Sequence, residues 1–317
     1  MVTIGIDIGG TNLVAGVVDE QYNILAKAKC RTQDYSTAES MVERLVNLCL
    51  EAVEQAGLTP EDVQAVGAGI PGAMNREEGI IIASVNTPFA HTPFVQLFQQ
   101  RWQVPVYIEN DANCAVLGEG VAGGAKNCGS VVAVTLGTGV GGGYLQNGML
   151  EFYTRNGMEV GHTVVVVDGE PCPCGRRGCW EQYSSARALK RMAREAMVAH
   201  PESVMWKLCG NPAGVKGRTP FEAARQGDEA GRQVVDKYLN HLAVGISNLV
   251  NIFQPEVVCI GGGVANEKDE DFLFPLQKLV EKMSLHKRIG NRTRLVKAAL
   301  GGDAGVIGAA VLYQEFV

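Results

Sequence analysis

The chain has 317 residues, is 46% hydrophobic and 20% charged, and carries a net charge of -6; this length suits two lobes rather than one small domain. The negative charge argues against a nucleic-acid surface, and no apolar run approaches a membrane span. No signal-peptide pattern precedes the strand-like run at Val2, so nine cysteines fit a reducing cytosol with thiols used for metal rather than disulfides.

Val2 to Ile8 and Leu13 to Val18 read as strands, joined through Asp7-Ile8-Gly9-Gly10-Thr11-Asn12 in a hairpin pattern. Amides in a glycine turn approach phosphate oxygens closely. Asp7 is placed to orient a magnesium ion or its water, and Thr11 adds a hydroxyl. Taken alone, such a turn is more often an ordinary hairpin. Ala38 to Ala56 sets Met41, Leu45, Leu48 and Val53 on one helical face, ended by Gly57. Val63 to Ile70 reads as a strand leading to a turn at Pro71-Gly72, and Pro93 to Arg101 as a further helix.

Val104 to Ile108 reads as a strand, followed by Glu109-Asn110-Asp111-Ala112-Asn113. A carboxylate and amides at a strand's end, ahead of a helix from Ala112 towards Gly118, is a common place for chemistry in α/β folds. On local sequence alone Asp111 serves equally well as an N-cap. The hairpin device then recurs. Val131 to Leu136 is followed by Gly137-Thr138-Gly139-Val140-Gly141-Gly142-Gly143, so two glycine turns suggest a duplicated architecture with phosphate turns facing across a cleft.

Glu159 to Glu181 reads EVGHTVVVVDGEPCPCGRRGCWE. His162, Cys172, Cys174 and Cys179 form a Cys3His set, which closes a tetrahedral zinc shell with no open position for water. Gly175 and Gly178 supply the sharp turns that return three thiolates to one ion. A loop tied in this way holds Glu159 and Glu181 in place, where they can accept hydrogen bonds from the hydroxyls of a polyhydroxylated ligand. Either glutamate alone would read as a solvated surface charge.

Ser184 to Ala199 and Gly227 to Phe253 read as helices. The strand Val257 to Ile260 leads into Gly261-Gly262-Gly263, where a base or ribose can lie on the backbone. A helix from Phe272 to Met283, a strand from Thr293 to Lys297 and a last helix from Ala304 to Phe316 complete an α/β alternation.

Six motifs together resemble the ROK family (repressors, open reading frames, sugar kinases), most closely its bacterial glucokinases. They are DIGGT at Asp7 to Thr11, END at Glu109 to Asp111, LGTGVGGG at Leu136 to Gly143, EVGH at Glu159 to His162, CPCGRRGCWE at Cys172 to Glu181 and IGGGV at Ile260 to Val264. The resemblance implies an actin-like, hexokinase-type pair of ribonuclease-H-like lobes with the active site between them. Residues 1–111 would form the small lobe, joined by the terminal helix at 304–317, and 112–303 the large lobe with its zinc loop at 159–181.

By the same resemblance Asp111 is the catalytic base. Gly72, Asn110, Asp111, Glu159, His162 and Glu181 contact a hexose. Asp7 with Gly9, Gly10, Thr11, Gly137, Thr138, Gly139, Gly261, Gly262 and Gly263 takes ATP and Mg2+, and structural Zn2+ sits on the Cys3His set. The expected protein is a cytoplasmic homodimer without nucleic-acid or membrane partners, phosphorylating glucose from ATP. An N-acetylhexosamine kinase and a sugar-responsive regulator are the alternatives. The family's regulators carry an N-terminal DNA-binding domain, whereas the first strand here begins at Val2. The small residues usual before EVGH are replaced by the bulkier run Phe152 to Met158, which bears on the choice of sugar.

Overall fold

The computed structural model describes residues 1–84, 87–151, 158–285 and 293–316; residues 152–157 of the bulky run before EVGH lie outside them. The chain divides into two compact units. One comprises Met1–Ser130, Gly143–Gly157 and Ala299–Val317, and the other Val131–Gly142 and Met158–Ala298.

The first unit begins with the strands β1 (Val2–Ile8), β2 (Asn12–Val18) and β3 (Ile24–Arg31), then α1 (Ala38–Gln55) and β4 (Val63–Ile70). There follow β5 (Gly72–Asn75), β6 (Ile80–Ser84), β7 (Ala90–Thr92), α2 (Phe94–Gln99), β8 (Val106–Asn110) and α3 (Asp111–Val121). Its main sheet has the order β3-β2-β1-β4-β8, and β5, β6 and β7 form a small antiparallel sheet of their own. β1, β4 and β8 run parallel, so their C-terminal ends share one edge of the sheet.

Helix α1 starts at a capping box between Thr37 and Ser40 and buries Met41, Leu45, Leu48 and Val53 in the core under β1 and β2. Each such side chain contributes about 1.5–3 kcal/mol on burial. β3 was not foreseen, because Lys27 and Lys29 break its apolar run; it is an edge strand with those lysines outward.

The chain next forms β9 (Ser130–Leu136), β10 (Val140–Gln146) and β11 (Met149–Leu150), and the division between the units falls inside β10. In the second unit the first residues of β10, then β9, β12 (Val257–Gly261) and β13 (Arg294–Lys297) lie in that order, the last three parallel. Its helices are α4 (Glu181–Ser184), α5 (Ala186–Ala199), α6 (Met205–Cys209), α7 (Thr219–Arg225), α8 (Glu229–Phe253) and α9 (Leu273–Met283). The expected helix from Ser184 is broken at Ser185, whose extended backbone lets its hydroxyl cap α5 at the Ala188 N–H. α8 begins on the Asp228 cap and ends where Gln254 turns left-handed ahead of Pro255.

The chain returns to the first unit through α10 (Ala304–Ala310). The expected final helix stops there and continues as a 3-10 turn over Leu312–Phe316. Backbones meet directly around α10. A Cβ on Gly5, Gly67 or Gly308 would lie 1.8, 1.8 and 1.7 Å from the carbonyls of Val306, Ala309 and Cys114. The buried Glu119 carboxylate adds a clasp by accepting the N–H groups of Gly124, Ala299 and Leu300. This packing keeps α3 in the first unit, which departs from the boundary expected after Asp111. The nine cysteines form no disulfide, and among the described residues no helix is long and apolar enough to cross a membrane.

Candidate active site

Parallel pairing builds the carboxylate site of the first unit. Asp7 near the end of β1 is level with Gly69 on β4, and Gly69 with Glu109 on β8. Gly69 has no side chain, and a Cβ there would lie 3.5 Å from the Asp111 Cα and 3.1 Å from the Cys114 sulfur. Asp7 and Asp111 are thereby gathered at the C-terminal edge of the sheet, the usual ligand edge of such folds.

The N-cap of α3 is Asn110. Its Oδ1 accepts the N–H groups of Ala112 and Asn113, so the alternative in which Asp111 caps the helix does not hold. Asp111 is the first helical residue and accepts the Ala112 N–H at 2.9 Å. Burial holds its carboxyl above the ordinary range against that hydrogen bond. Burial and then the charge of Asp111 push Asp7 up to about 6.

Asn110 Nδ2 reaches the Gly72 carbonyl at 3.4 Å. Gly72 was expected in a turn but opens β5 at φ +128°, where a Cβ would strike the Ala83 carbonyl at 2.1 Å. The turn at Gly9 closes with its N–H on the Asn12 carbonyl, leaving Gly10 and Thr11 exposed.

Sequence reasoning named no role for Glu109 or Arg76. Glu109 is 4% exposed and pairs with Arg76. The signal available was its place in END beside Asn110; its partner lies 33 residues earlier in the chain.

In the second unit the side chains of His162, Cys172, Cys174 and Cys179 bring their ligand atoms within 4.8 Å of one another. Cys174 and Cys179 sulfurs are 3.6 Å apart, and Cys172 sulfur lies 3.6 Å from His162 Nδ1. A tetrahedral zinc with ordinary bond lengths would set sulfurs about 3.8 Å apart and sulfur from nitrogen about 3.6 Å. The donor set therefore fits such an ion. Backbone hydrogen bonds shape the loop, from Cys172 N to Arg176 O and from Gly178 N to Glu170 O, and the Arg176 guanidinium holds the His162 carbonyl. Hydrogen bonds from the Arg176 N–H and then Cys172 lower exposed Cys174 to about 6.

The loop is anchored by Trp180, fully buried with its indole N–H on the His241 carbonyl and its ring filling the space left by Gly245. Glu181 follows at once. Its Oε1 accepts from the Cys172 thiol and Gln182, and a Cβ on Gly139 would lie 2.7 Å from its Oε2. Glu159 is exposed, and its carbonyl accepts the His162 N–H.

Two glycine turns meet in this unit. Gly262, at φ +93°, sits where a Cβ would lie 2.3 Å from the Leu136 carbonyl, immediately before Gly137. Thr138 is exposed at the tip of its turn, where Gly137 N–H meets the Gly139 carbonyl. Beside them is a cavity of about 600 Å³ lined by Gly263, Ala186, Val264 and the cations Lys190, Lys216 and Arg218. Ala186 N–H binds the Gly137 carbonyl, which ties the cavity to both turns. Those three cations were not singled out in the sequence, because they come from separate segments.

Residues 3–316 match the ROK family. The chain belongs to the ROK family. This ROK protein is 37% identical over 316 residues to a glucokinase of Thermotoga maritima, covering 98% of this chain and 97% of that one. Its fold is similar to a ROK family glucokinase of Streptomyces griseus solved with glucose and AMPPNP, with 37% identity, a TM-score of 0.80 and coverage of 98% and 99%. A ROK hexokinase of Thermus thermophilus gives 30% identity and a TM-score of 0.80, with coverage of 100% and 99%. The α/β fold expected from the six motifs is the one these ROK kinases share.

Proposed function

We propose that this ROK protein transfers the γ-phosphoryl group of ATP to the 6-hydroxyl of a hexose, with glucose as the preferred sugar. The observation that carries the reading is the half-buried Asp111 carboxyl in the first turn of α3, next to Asn110, within a chain 37% identical over nearly its full length to a glucokinase. A sugar hydroxyl is a poor nucleophile until a base takes its proton, and Asp111 accepts that proton as the phosphoryl group departs from ADP.

Asn110 and the Gly72 backbone hold the sugar near Asp111. Glu159, Glu181 and His162 accept and donate hydrogen bonds to its hydroxyls. His162 Nδ1 faces the thiols, which leaves Nε2 for a hydroxyl. The turns at Gly9–Thr11, Gly137–Gly139 and Gly261–Gly263 bind the nucleotide, and the cavity beside Gly263 takes its base and ribose. Asp7 would hold magnesium through water, which neutralises phosphate charge during transfer. The Cys3His set would hold a structural zinc that keeps the loop in shape. We further propose a cytoplasmic homodimer without nucleic-acid or membrane partners.

A coupled assay of ADP release over a panel of hexoses tests the reading. The expected result is the highest kcat/KM with glucose. A higher value with N-acetylglucosamine or N-acetylmannosamine would replace the substrate within the same chemistry. No ADP release with any hexose would overturn catalysis in favour of a sugar-responsive regulator.

A further inference from the structure

We propose that Glu109 is a positioning residue for phosphoryl transfer, fixing Asn110 and the first turn of α3 and clamping them through Arg76 to the β5–β6 hairpin. The inference rests on the reading of Asp111 as the base.

Glu109 Oε1 accepts the Asn110 N–H at 2.8 Å and the Asn113 side-chain amide at 2.9 Å, while Oε2 pairs with Arg76. It therefore grips both the residue before Asp111 and one in the helical turn after it. The grip reaches the small sheet at two points. Asn110 touches Gly72 at the start of β5, and Glu109 pairs with Arg76 just beyond its end. Among the described residues the Asp111 carboxyl accepts only local backbone N–H groups, those of Ala112 and of Asp111 itself. Its placement against a sugar held near Gly72 is inherited from its neighbour.

Arg76 has a second effect, through charge. Asp7, Glu109 and Asp111 lie along one sheet edge, and all three act with Arg76 on the fully buried Cys114 thiol. Burial foremost keeps that thiol well above its ordinary range, so it is neutral. The C-terminal turn adds Glu315, which feels Glu109, Arg76 and Glu151, and α10 places Gly305 against the Asp7 carboxyl. In this acidic surrounding the Arg76 guanidinium stands against the Glu109 carboxylate, and this pairing is what would keep Asp111 from ionising beside a further unopposed charge. A buried ion pair adds little stability over an apolar pair of the same shape, so positioning and charge balance give this one its use.

Three variants and one double variant separate geometry from charge. Glu109→Asp keeps the charge and withdraws the carboxylate by one methylene. Its kcat for hexose phosphorylation falls at least about tenfold, since a displacement of about 1 Å can cost on the order of a hundredfold, with the acid limb of kcat/KM unmoved. Glu109→Gln removes the carboxylate paired with Arg76 and moves the acid limb down by roughly half a pH unit or more, whereas Arg76→Met removes the cation paired with Glu109 and moves it up. Glu109→Gln with Arg76→Met returns the limb to its wild-type position. A merely structural role lowers folded protein and moves none of these limbs in opposite directions. If Glu109→Gln does not fold, Glu109→Asp and Arg76→Met carry the test.

Wild-type kcat in Glu109→Asp, or superimposable acid limbs in the folded single variants, overturns the inference. Asp111→Asn distinguishes the two levels. Near-normal turnover there removes the base itself, while an inactive Asp111→Asn alongside unshifted Glu109 and Arg76 variants removes only the positioning role.

Discussion

The carboxyl of Asp7 is pushed up to about 6, first by its burial and then by the negative charge of Asp111. The two residues meet because Asp7 is level with Gly69 in the sheet, and Asp111 lies over that same glycine. Asp111 is itself raised by burial. Both carboxyls thus lose water before any substrate arrives, and both belong to groups whose folded form holds its proton more tightly than the unfolded chain does.

The ordinary value for Asp7 is 3.8. Its contribution is most favourable below that value, declines as pH rises towards about 6, and is lost above. The decline amounts to about 3 kcal/mol. Asp7→Asn is expected to raise Tm above wild type by several degrees at pH 7–8, with the gap closing towards pH 4, while kinase activity falls. Melting curves across pH check this; a gap independent of pH would contradict it.

Asp111→Asn keeps the shape of the side chain and removes its basicity. The expected fall in kcat is at least about a hundredfold, the range of general-base losses, with hexose binding retained by calorimetry. In the wild type kcat/KM is expected to decline on the acid side as Asp111 takes up a proton, at a pH above the ordinary aspartate range. Near-normal turnover in the variant would remove the assignment.

Purified wild-type protein is expected to carry about one zinc per chain, as one closed four-ligand site requires. Cys174→Ser should yield a folded protein with little zinc, much weaker hexose binding and ATP binding largely retained. Zinc binding is largely folding energy for the loop that carries its ligands, and that loop also places Glu159, His162 and Glu181. Full activity in a verified zinc-free preparation would refute the structural role.

Gly308→Ala tests the close packing of α10. The added Cβ would lie 1.7 Å from the Cys114 carbonyl, a backbone atom that cannot rotate away. A loss of at least about 3 kcal/mol is expected in urea unfolding. Gly302→Ala, with nothing within 4 Å of the new Cβ, should stay within about 0.5 kcal/mol of wild type.

Much of this architecture was legible because its signals are short. The turns at Gly9–Thr11 and Gly137–Gly139 follow strands whose bounds the apolar runs mark to within a residue or so. The Cys3His set lies within 18 positions, so chain length alone restricts where the thiols can go, and the observed 3.6 Å separations follow from that compact loop. Local pattern failed where a neighbour outside the segment decided the outcome. Gly72 read as a turn became the start of β5 because Ser84 on β6 pairs against it, and the cap of α3 went to Asn110, whose side chain is held at Gly72.

By itself, then, the sequence determined the alternation of strands and helices, the glycine turns and the composition of the metal loop, since each depends on residues a few positions apart. Only the tertiary structure decided the company kept by the carboxylates. Glu109 found Arg76 from 33 positions away, and Glu119 found Ala299 and Leu300 from 180 and 181. Those partners are set by the parallel register of β1, β4 and β8 and by glycines that let α10 approach as bare backbone. No local propensity encodes such a register. It is fixed when the two faces of the sheet are buried at once, and a slip of one residue would turn Asp7 and Glu109 to the opposite face.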